Sequence, residues 1–300
     1  MTLHPKIAEA LGATPAPPPG PLDPAVLRAA EEAEVPPLAQ RLPVHAVQDT
    51  TAGDVPVRIY TPRAADGLLV YFHGGAFFLG SLETHDHVAR SLANETGLKV
   101  LAVGYRRAPE AAFPAGLQDC YAVVRWAADK LTGEGATLAV AGDSSGGTFA
   151  AAVTAMAHDD DFDRITHQVL YYPSLDLDFD ASRYASLREN AEGYGLETAV
   201  LKPFNRFYLD SGADPADPLV SPIKREDLTG LPPALIITAE HDPLRDEGEL
   251  YGERLTAAGV DATVRRYAGA GHGFVQHFSW IPEYHRVFAE TRDFLRKEPS

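Results

Sequence analysis

A serine in a glycine-rich turn is the strongest chemical signal in this sequence. Ser144 lies in the stretch Gly142-Asp143-Ser144-Ser145-Gly146, which follows a predicted strand, Thr137–Ala141, and opens a predicted helix through Ala157. A sharp strand-to-helix turn exposes the serine oxygen, and the small residues on either side let the chains pass closely. The helix N-terminus favours negative charge that develops there. This setting predicts that Ser144 is a nucleophile, although short glycine turns often only pack.

A second glycine-rich stretch predicts a site for a developing oxyanion. His73-Gly74-Gly75-Ala76 directly follows the predicted strand Leu68–Phe72. Consecutive glycines let backbone N–H groups turn toward a ligand without obstruction by side chains, as an oxyanion hole requires. A Gly-Gly pair more often ends a strand without any further role. Its occurrence together with the serine turn favours the functional interpretation.

A serine nucleophile needs a histidine to take its proton and an acid to orient that histidine. Asp242 follows the predicted strand Ala234–Ala239, and His272, which has a glycine on each side, follows the last predicted strand, Ala262–Tyr267. Asp246 is the alternative to Asp242 as the acid. In chymotrypsin-like proteases, whose serine motif looks similar, the histidine precedes the serine. The order here is serine, acid, histidine, which favours the other arrangement.

Strands and helices alternate along most of the chain, and this alternation predicts a mostly parallel sheet covered by helices on both faces. The remaining predicted strands are Val44–Thr51, Val55–Tyr60, Leu98–Val103 and Gln168–Tyr171, and the predicted helices of this part are His85–Thr96, Ala115–Leu131, Gly146–Ala157, Glu247–Ala258 and Pro282–Arg296. The fold class is therefore expected to be α/β.

Two segments depart from this alternation. Residues 1–43 hold one predicted helix, Pro24–Ala33, between proline clusters, and the polar, aromatic stretch 176–227 is helical only in patches such as Leu201–Leu209. Insertions of this size are commonly lids or caps. We predict a core of residues 44–175 and 228–300, with a small helical cap that combines residues 1–43 and 176–227.

Composition excludes several classes of function. The chain has 300 residues with 42 acidic and 26 basic side chains, and the resulting net charge of −16 disfavours binding to nucleic acid or anionic lipid. Cys120 is the only cysteine, which excludes an intrachain disulfide, a Cys-rich zinc site and an iron–sulfur cluster. No stretch predicts a transmembrane helix or a secretion signal, so we expect a cytoplasmic protein without membrane insertion. No metal site is predicted.

Taken together, these motifs resemble the bacterial hormone-sensitive lipase family of α/β-hydrolases, in particular its Gly-Asp-Ser-Ala-Gly subgroup. The resemblance covers roughly Gly67 to Phe278 and includes, besides the motifs above, the stretches Tyr105–Glu110, Phe113–Ala115, Glu189–Tyr194, Asp242–Gly248 and His272–Phe274. It implies an α/β-hydrolase fold with a small helical cap and no cofactor. It also implies a triad of Ser144, Asp242 and His272, and an oxyanion hole formed by the backbone N–H groups of Gly75, Ala76 and Ser145, with Gly74 shaping the loop.

The sequence departs from the family pattern near the reacting centre. Ala76 stands where the family has a third glycine, Ser145 replaces the usual alanine, and Arg107 stands where a leucine is usual. None of these changes removes a catalytic group. The added atoms of Ala76 and Ser145 are expected to narrow the site that receives the acyl group.

These observations predict a carboxylesterase that acts on short- to medium-chain acyl esters through a Ser-His-Asp acyl-enzyme mechanism. A deacetylase, an amidase or a carbonate hydrolase with the same triad is the alternative within this class. A non-catalytic ligand-binding relative is the alternative of a different class. The expected partner is a small-molecule ester, and the number of subunits is left open, with a homodimer as one alternative.

Overall fold

A computed structural model describes residues 2–13 and 22–297, and its centre is an eight-stranded sheet between two layers of helices. The order across the sheet is β1-β2-β4-β3-β5-β6-β7-β8. The strands are β1 (Ala46–Ala52), β2 (Val55–Thr61), β3 (Leu68–Phe72), β4 (Lys99–Val103), β5 (Leu138–Asp143), β6 (His167–Tyr171), β7 (Ala234–His241) and β8 (Ala262–Gly271). Strand β2 runs antiparallel to β1 and β4, and the other neighbouring strands are parallel. The predicted α/β architecture is confirmed.

Side chains alternate between the two faces of the sheet, so that each face contributes to its own hydrophobic core. In β3, Leu68, Val70 and Phe72 belong to one core, while Leu69 and Tyr71 belong to the other. All five residues of this strand are buried, as expected for a parallel strand covered on both sides.

Ten α-helices flank or cover the sheet in the described residues. They are α1 (Pro5–Ala13), α2 (Pro24–Ala33), α3 (Asp86–Thr96), α4 (Ala115–Lys130), α5 (Ser145–Asp159), α6 (Ser186–Glu189), α7 (Thr198–Leu209), α8 (Arg245–Ala257), α9 (Phe274–His277) and α10 (Pro282–Leu295). Side chains of α4, α5 and α8 enter one core, and those of α3, α9 and α10 enter the other. No helix in this part of the chain is both long and apolar enough to span a membrane.

The N-terminal segment contains more helix than the sequence predicted. Helix α1 was missed, because the expectation for residues 1–43 was a single helix, Pro24–Ala33. Pro5 occupies the first position of α1, where its missing N–H costs nothing, and Ile7 is buried against the second core. Burial of that side chain stabilises a helix too short to form on local propensity alone. The predicted proline cluster Pro15–Pro21 lies outside the described residues.

The parallel strands bring the predicted site residues to one edge of the sheet. His73 follows the last residue of β3, Ser144 follows β5, Asp242 follows β7 and His272 follows β8. The carboxyl ends of parallel strands lie side by side, and this is the edge at which open α/β sheets generally bind their ligands.

Candidate active site

Ser144 occupies a strained turn between β5 and α5. Its φ is 54° and its ψ is −120°, a combination that residues other than glycine rarely adopt. The turn is held by a hydrogen bond from the Ser144 N–H to the Tyr171 carbonyl (2.9 Å) and by one from the Ser174 N–H to the Ser144 carbonyl (3.1 Å). A Cβ atom at Gly142 or Gly146 would collide with backbone atoms, so the glycine spacing is a steric requirement.

The structure brings Ser144, His272 and Asp242 into one chain of hydrogen bonds. His272 Nε2 lies 2.9 Å from Ser144 Oγ, and His272 Nδ1 lies 2.8 Å from Asp242 Oδ2. The Asp242 side chain is fully buried, whereas the imidazole of His272 is partly exposed. This geometry allows the imidazole to accept the serine proton at Nε2 while Nδ1 donates to the carboxylate.

The alternative acid, Asp246, lies elsewhere. Its carboxylate accepts hydrogen bonds from the Ser186 N–H (2.8 Å) and from Arg245 Nε (2.8 Å). Asp242 Oδ1, by contrast, accepts from the Leu244 N–H at 2.8 Å, which leaves Oδ2 for His272. Only Asp242 is therefore placed to orient the imidazole.

Ser144 and the loop after β3 line the same cavity, to which the loop contributes Gly75 and Ala76. Gly75 and Ala76 have φ values of 116° and 49°, and this conformation turns successive N–H groups in one direction. Within the described residues, the N–H groups of Gly75, Ala76 and Ser145 donate to no protein acceptor. The Gly74 N–H is different, because it donates to Asp143 Oδ1 at 2.9 Å. Gly74 thus fixes the loop through this hydrogen bond.

The buried side chain of Asp143, to which the sequence analysis assigned no role, supports this loop. Asp143 accepts from the Gly74 N–H and from the Tyr71 hydroxyl (2.5 Å), and its Oδ2 lies 3.6 Å from His85 Nε2. Burial opposes ionisation of Asp143, but His85 and these hydrogen bonds outweigh it and hold the pKa of the carboxyl below its ordinary value. Asp143 therefore anchors the loop as an anion.

The side chain of Ser145 also supports the loop after β3. Its hydroxyl accepts a hydrogen bond from the Phe77 N–H at 3.2 Å, so it faces the loop after β3 and holds it against α5. The sequence predicted only that this side chain adds volume. The strand-turn-helix pattern carries no signal for this contact, because Phe77 and Ser145 are far apart in the chain.

Helix α2 secures the outer side of the same loop. Arg28 Nε donates to the Phe78 carbonyl (2.7 Å), and the Arg28 guanidinium also pairs with Glu110 at 2.7 Å. One turn further along α2, Glu31 accepts from the Gly80 N–H at 3.0 Å. The spacing of Arg28 and Glu31 places both on one helix face. This spacing is the only sequence signal for the contact, and it does not name the partner.

His73 lies beneath the loop in a fully buried position. Burial, together with the nearby His85, lowers its pKa from 6.5 to about 3. Its Nδ1 lies 2.8 Å from the Gly74 carbonyl and 3.0 Å from the Tyr105 hydroxyl. The imidazole is therefore neutral in the folded protein at any pH near neutrality.

The buried neutral His73 is expected to make the protein less stable in acid. Below pH ~6.5 the unfolded chain binds a proton at this histidine that the folded chain does not. The free energy of unfolding therefore decreases as the pH is lowered from ~6.5 to about 3. The loss between pH 7 and pH 5 should be about 2 kcal/mol. Urea unfolding of the wild type and of His73→Gln at both pH values measures it. The pH-induced loss should be smaller in the variant by that amount, and equal losses would contradict the assignment.

A cavity of about 470 Å³ lies over Ser144 and His272. The loop after β3 contributes Gly75 and Ala76 to its wall, and helices α1 and α7 cover it with mostly apolar side chains, among them Ile7, Leu11, Leu201 and Phe204. Within residues 2–13 and 22–297, no group of three or more His, Cys, Asp or Glu side chains is arranged to hold a metal ion. The site thus places a serine hydroxyl hydrogen-bonded to a histidine beside a mostly apolar pocket.

The sequence of this chain is similar to those of known α/β-hydrolases. The model of a family described by its alpha/beta hydrolase fold matches residues 69–276. Carboxylesterase NlhH of Mycobacterium tuberculosis is 40% identical over 256 residues, which cover 80% of this chain and 79% of that protein. The ethyl acetate hydrolase of Pseudomonas putida is 36% identical over 238 residues, which cover 76% of this chain and 74% of that protein.

A solved structure extends the likeness to nearly the whole chain. The hyperthermophilic esterase from the archaeon Pyrobaculum calidifontis superposes with a TM-score of 0.89 and 38% sequence identity, covering 99% of this chain and 98% of that one. The likeness includes the segments outside the alternating core, which the family model leaves partly unmatched.

Proposed function

The chain belongs to the hormone-sensitive lipase family of α/β-hydrolases and is a carboxylic ester hydrolase, and we propose that it cleaves esters of short to medium acyl chains through an acyl-enzyme on Ser144. The observation that carries this mechanism is the pair of hydrogen bonds that links Ser144 Oγ, His272 and Asp242. A non-catalytic relative would have no need of this aligned chain of polar groups.

In the first half of the reaction, Ser144 Oγ attacks the ester carbonyl carbon while His272 Nε2 takes the hydroxyl proton. The carbonyl oxygen becomes an oxyanion, which the N–H groups of Gly75, Ala76 and Ser145 stabilise by hydrogen bonding. Collapse of the tetrahedral intermediate breaks the bond to the alcohol oxygen, and His272 returns the proton to that oxygen. The alcohol leaves and the acyl group stays on Ser144.

In the second half, water takes the place of the alcohol. His272 removes a proton from the water, the hydroxide oxygen attacks the acyl carbon, and the proton passes to Ser144 Oγ as the acid is released. Asp242 keeps its negative charge throughout and stabilises the imidazolium that forms in each half. Since Asp143, Arg28 and Glu31 already hold the loop after β3, the oxyanion donors need little rearrangement.

The size of the pocket supports the proposed limit on acyl length. Its volume of about 470 Å³ must hold both the acyl and the alcohol part, and Ala76 is one of the residues that line it. The related Pseudomonas putida protein is an ethyl acetate hydrolase, which acts on a short ester. We therefore propose that acyl groups beyond about six carbons extend into water and gain no further transition-state stabilisation.

A series of p-nitrophenyl esters from two to sixteen carbons is expected to show this limit. Each added methylene should lower the free energy of the transition state by up to ~0.8 kcal/mol, and so raise kcat/KM, until the pocket is full. This gain should stop near hexanoyl. Ala76→Gly removes a methyl group from the wall at a residue with φ of 49°, so the preferred chain should lengthen by about one carbon. Preference for the longest esters, or a jump in rate at an oil–water interface, would contradict the proposal.

The division into core and cap is part of the same proposal. Helices α1 and α7, which belong to the segments 1–43 and 176–227, both contribute side chains to the pocket. This contact supports a cap that combines the two segments over a core of residues 44–175 and 228–300. The cytoplasmic location and the homodimer also remain proposals. Cell fractionation tests the location, and sedimentation equilibrium tests the number of subunits.

A further inference from the structure

A second cavity, of about 270 Å³, adjoins the substrate pocket over Ser144. Among the described residues, three line both cavities: Glu34, at the C-terminal end of α2, and Gln276 and His277, on α9. We call these three residues the shared wall. All three are polar, whereas α1 and α7 cover the pocket with mostly apolar side chains. The shared wall therefore gives the substrate pocket one polar side.

The side chains of the shared wall are accessible to a ligand. Glu34 and His277 are exposed, and Gln276 is half-buried. Hydrogen bonds hold their backbone: the Gln276 carbonyl accepts from His87 Nε2 at 2.5 Å, and the His277 carbonyl accepts from Trp280 Nε1 at 3.1 Å. In residues 2–13 and 22–297, the three side chains have no hydrogen-bond or ion-pair partner of their own. A ligand in the pocket can thus supply one.

The charge left over at the shared wall is negative. Arg41, which lines the second cavity, pairs with Glu83 at 2.7 Å and with Asp86 at 3.2 Å, and further arginines contact the same two carboxylates. Glu31 accepts a backbone N–H of the loop after β3. Glu34 is therefore the carboxylate of this cavity that has no partner in the described part of the chain.

His277 adds no positive charge that would offset Glu34. The residue is surrounded by other protein groups, and the surface that it exposes lines the two cavities. This desolvation, together with the nearby His85 and His87, lowers the pKa of His277 to about 4. Its imidazole is therefore neutral at pH 7, and one of its ring nitrogens is a hydrogen-bond acceptor.

We expect the alcohol part of a bound ester to lie on this side of the pocket. In the proposed reaction His272 Nε2 returns the proton to the leaving alcohol, so the alcohol oxygen must lie close to this nitrogen. Helix α9 begins two residues after His272, and its last two residues are Gln276 and His277. The alcohol is thus the part of the substrate nearest the shared wall.

We propose that the shared wall selects esters whose alcohol part carries a protonated amine. The inference rests on the proposed function, because it concerns the leaving group of the same reaction. The ammonium charge is attracted by the Glu34 carboxylate, and its N–H donates to the acceptors that Glu34, Gln276 and His277 offer. An alkyl group of the same shape removes water from these polar groups and forms no bond with them.

Pairs of butanoate esters that differ only in the amine test the proposal. The first pair is 2-(dimethylamino)ethyl butanoate and 3-methylbutyl butanoate; the second, one carbon longer, is 3-(dimethylamino)propyl butanoate and 4-methylpentyl butanoate. Both members of a pair form the same acyl-enzyme, so the ratio of their kcat/KM values reports on the alcohol part. Acid release at pH 7 and low salt gives this amine-to-alkyl ratio. Comparison between variants cancels the intrinsic reactivity of each ester and the amount of active enzyme.

Glu34→Gln removes the charge and His277→Leu removes the ring nitrogens. Glu32→Gln is the matched control, because Glu32 lies on the same helix and has the same charge but lines neither cavity. The amine-to-alkyl ratio of at least one pair should fall about fivefold in Glu34→Gln and about threefold in His277→Leu. It should change by less than about twofold in Glu32→Gln.

A fall of less than twofold in both pairs for Glu34→Gln, or an equal fall in Glu32→Gln, would overturn the amine preference. The second of these outcomes would assign the effect to the overall negative charge of the protein. If the folded wild type cleaves neither these esters nor p-nitrophenyl butanoate, the proposed function itself fails. Cleavage with ratios that Glu34→Gln leaves unaltered refutes only the inference about the alcohol.

Discussion

Replacement of Ser144 by alanine is expected to lower kcat by about 10⁶ while the protein stays folded. The side chain of Ser144 makes one hydrogen bond, to His272 Nε2, and the turn itself is held by backbone hydrogen bonds that alanine keeps. The loss is large because the substitution removes the oxygen whose proton His272 is placed to take. Residual turnover would come from the proposed oxyanion donors, which could still stabilise direct attack by water.

The measurement is the steady-state rate on p-nitrophenyl butanoate, with thermal unfolding as the check on folding. Ser145→Ala is the matched control, because it removes a hydroxyl from the next residue of the same turn. That hydroxyl accepts only from the Phe77 N–H, so its loss should reduce kcat by at most about 100-fold. A Ser144→Ala enzyme that keeps a tenth of its activity would end the assignment of Ser144 as nucleophile.

The elements of the core were predictable because their signals are local. Buried parallel strands such as β3 are continuous apolar runs, and each ends at a glycine-rich or polar stretch. The observed boundaries differ from the predicted ones where tertiary contacts extend a strand. Strand β8, for example, continues to Gly271, although the apolar run that predicted it ends at Tyr267. This extension is stabilised by pairing with β7, in which His241 lies opposite Gly271.

The proposed triad could also be located in the sequence, since each member directly follows a strand and topology then brings the strand ends together. The contacts that support the loop after β3 could not be located in this way. The bond from Arg28 to the Phe78 carbonyl joins residues 50 positions apart, and that from the Gly74 N–H to Asp143 joins residues 69 positions apart. Such contacts depend on how the helices pack on the sheet, and no periodic pattern in a single sequence predicts them.

Asp242→Asn is expected to lower kcat by about 10⁴ with little change in the structure. Asp242 Oδ1 accepts from the Leu244 N–H at 2.8 Å, so in the variant the amide oxygen should take that position and the NH₂ group should face His272 Nδ1. An N–H donor there makes Nδ1 an acceptor and places the imidazole proton on Nε2. That tautomer cannot take the proton of Ser144, and the imidazolium has lost its anion.

Asp246→Asn is the matched control for this change, four residues away in the same loop-to-helix segment. Asp246 bonds to Arg245 and to the Ser186 N–H, not to His272, so its amide should reduce kcat by less than about tenfold. Steady-state rates of both variants on one short ester, with unfolding curves for each, decide between the two carboxylates. A damaging Asp246→Asn beside a mild Asp242→Asn would assign the orienting acid to Asp246, against the 2.8 Å contact between Asp242 and His272.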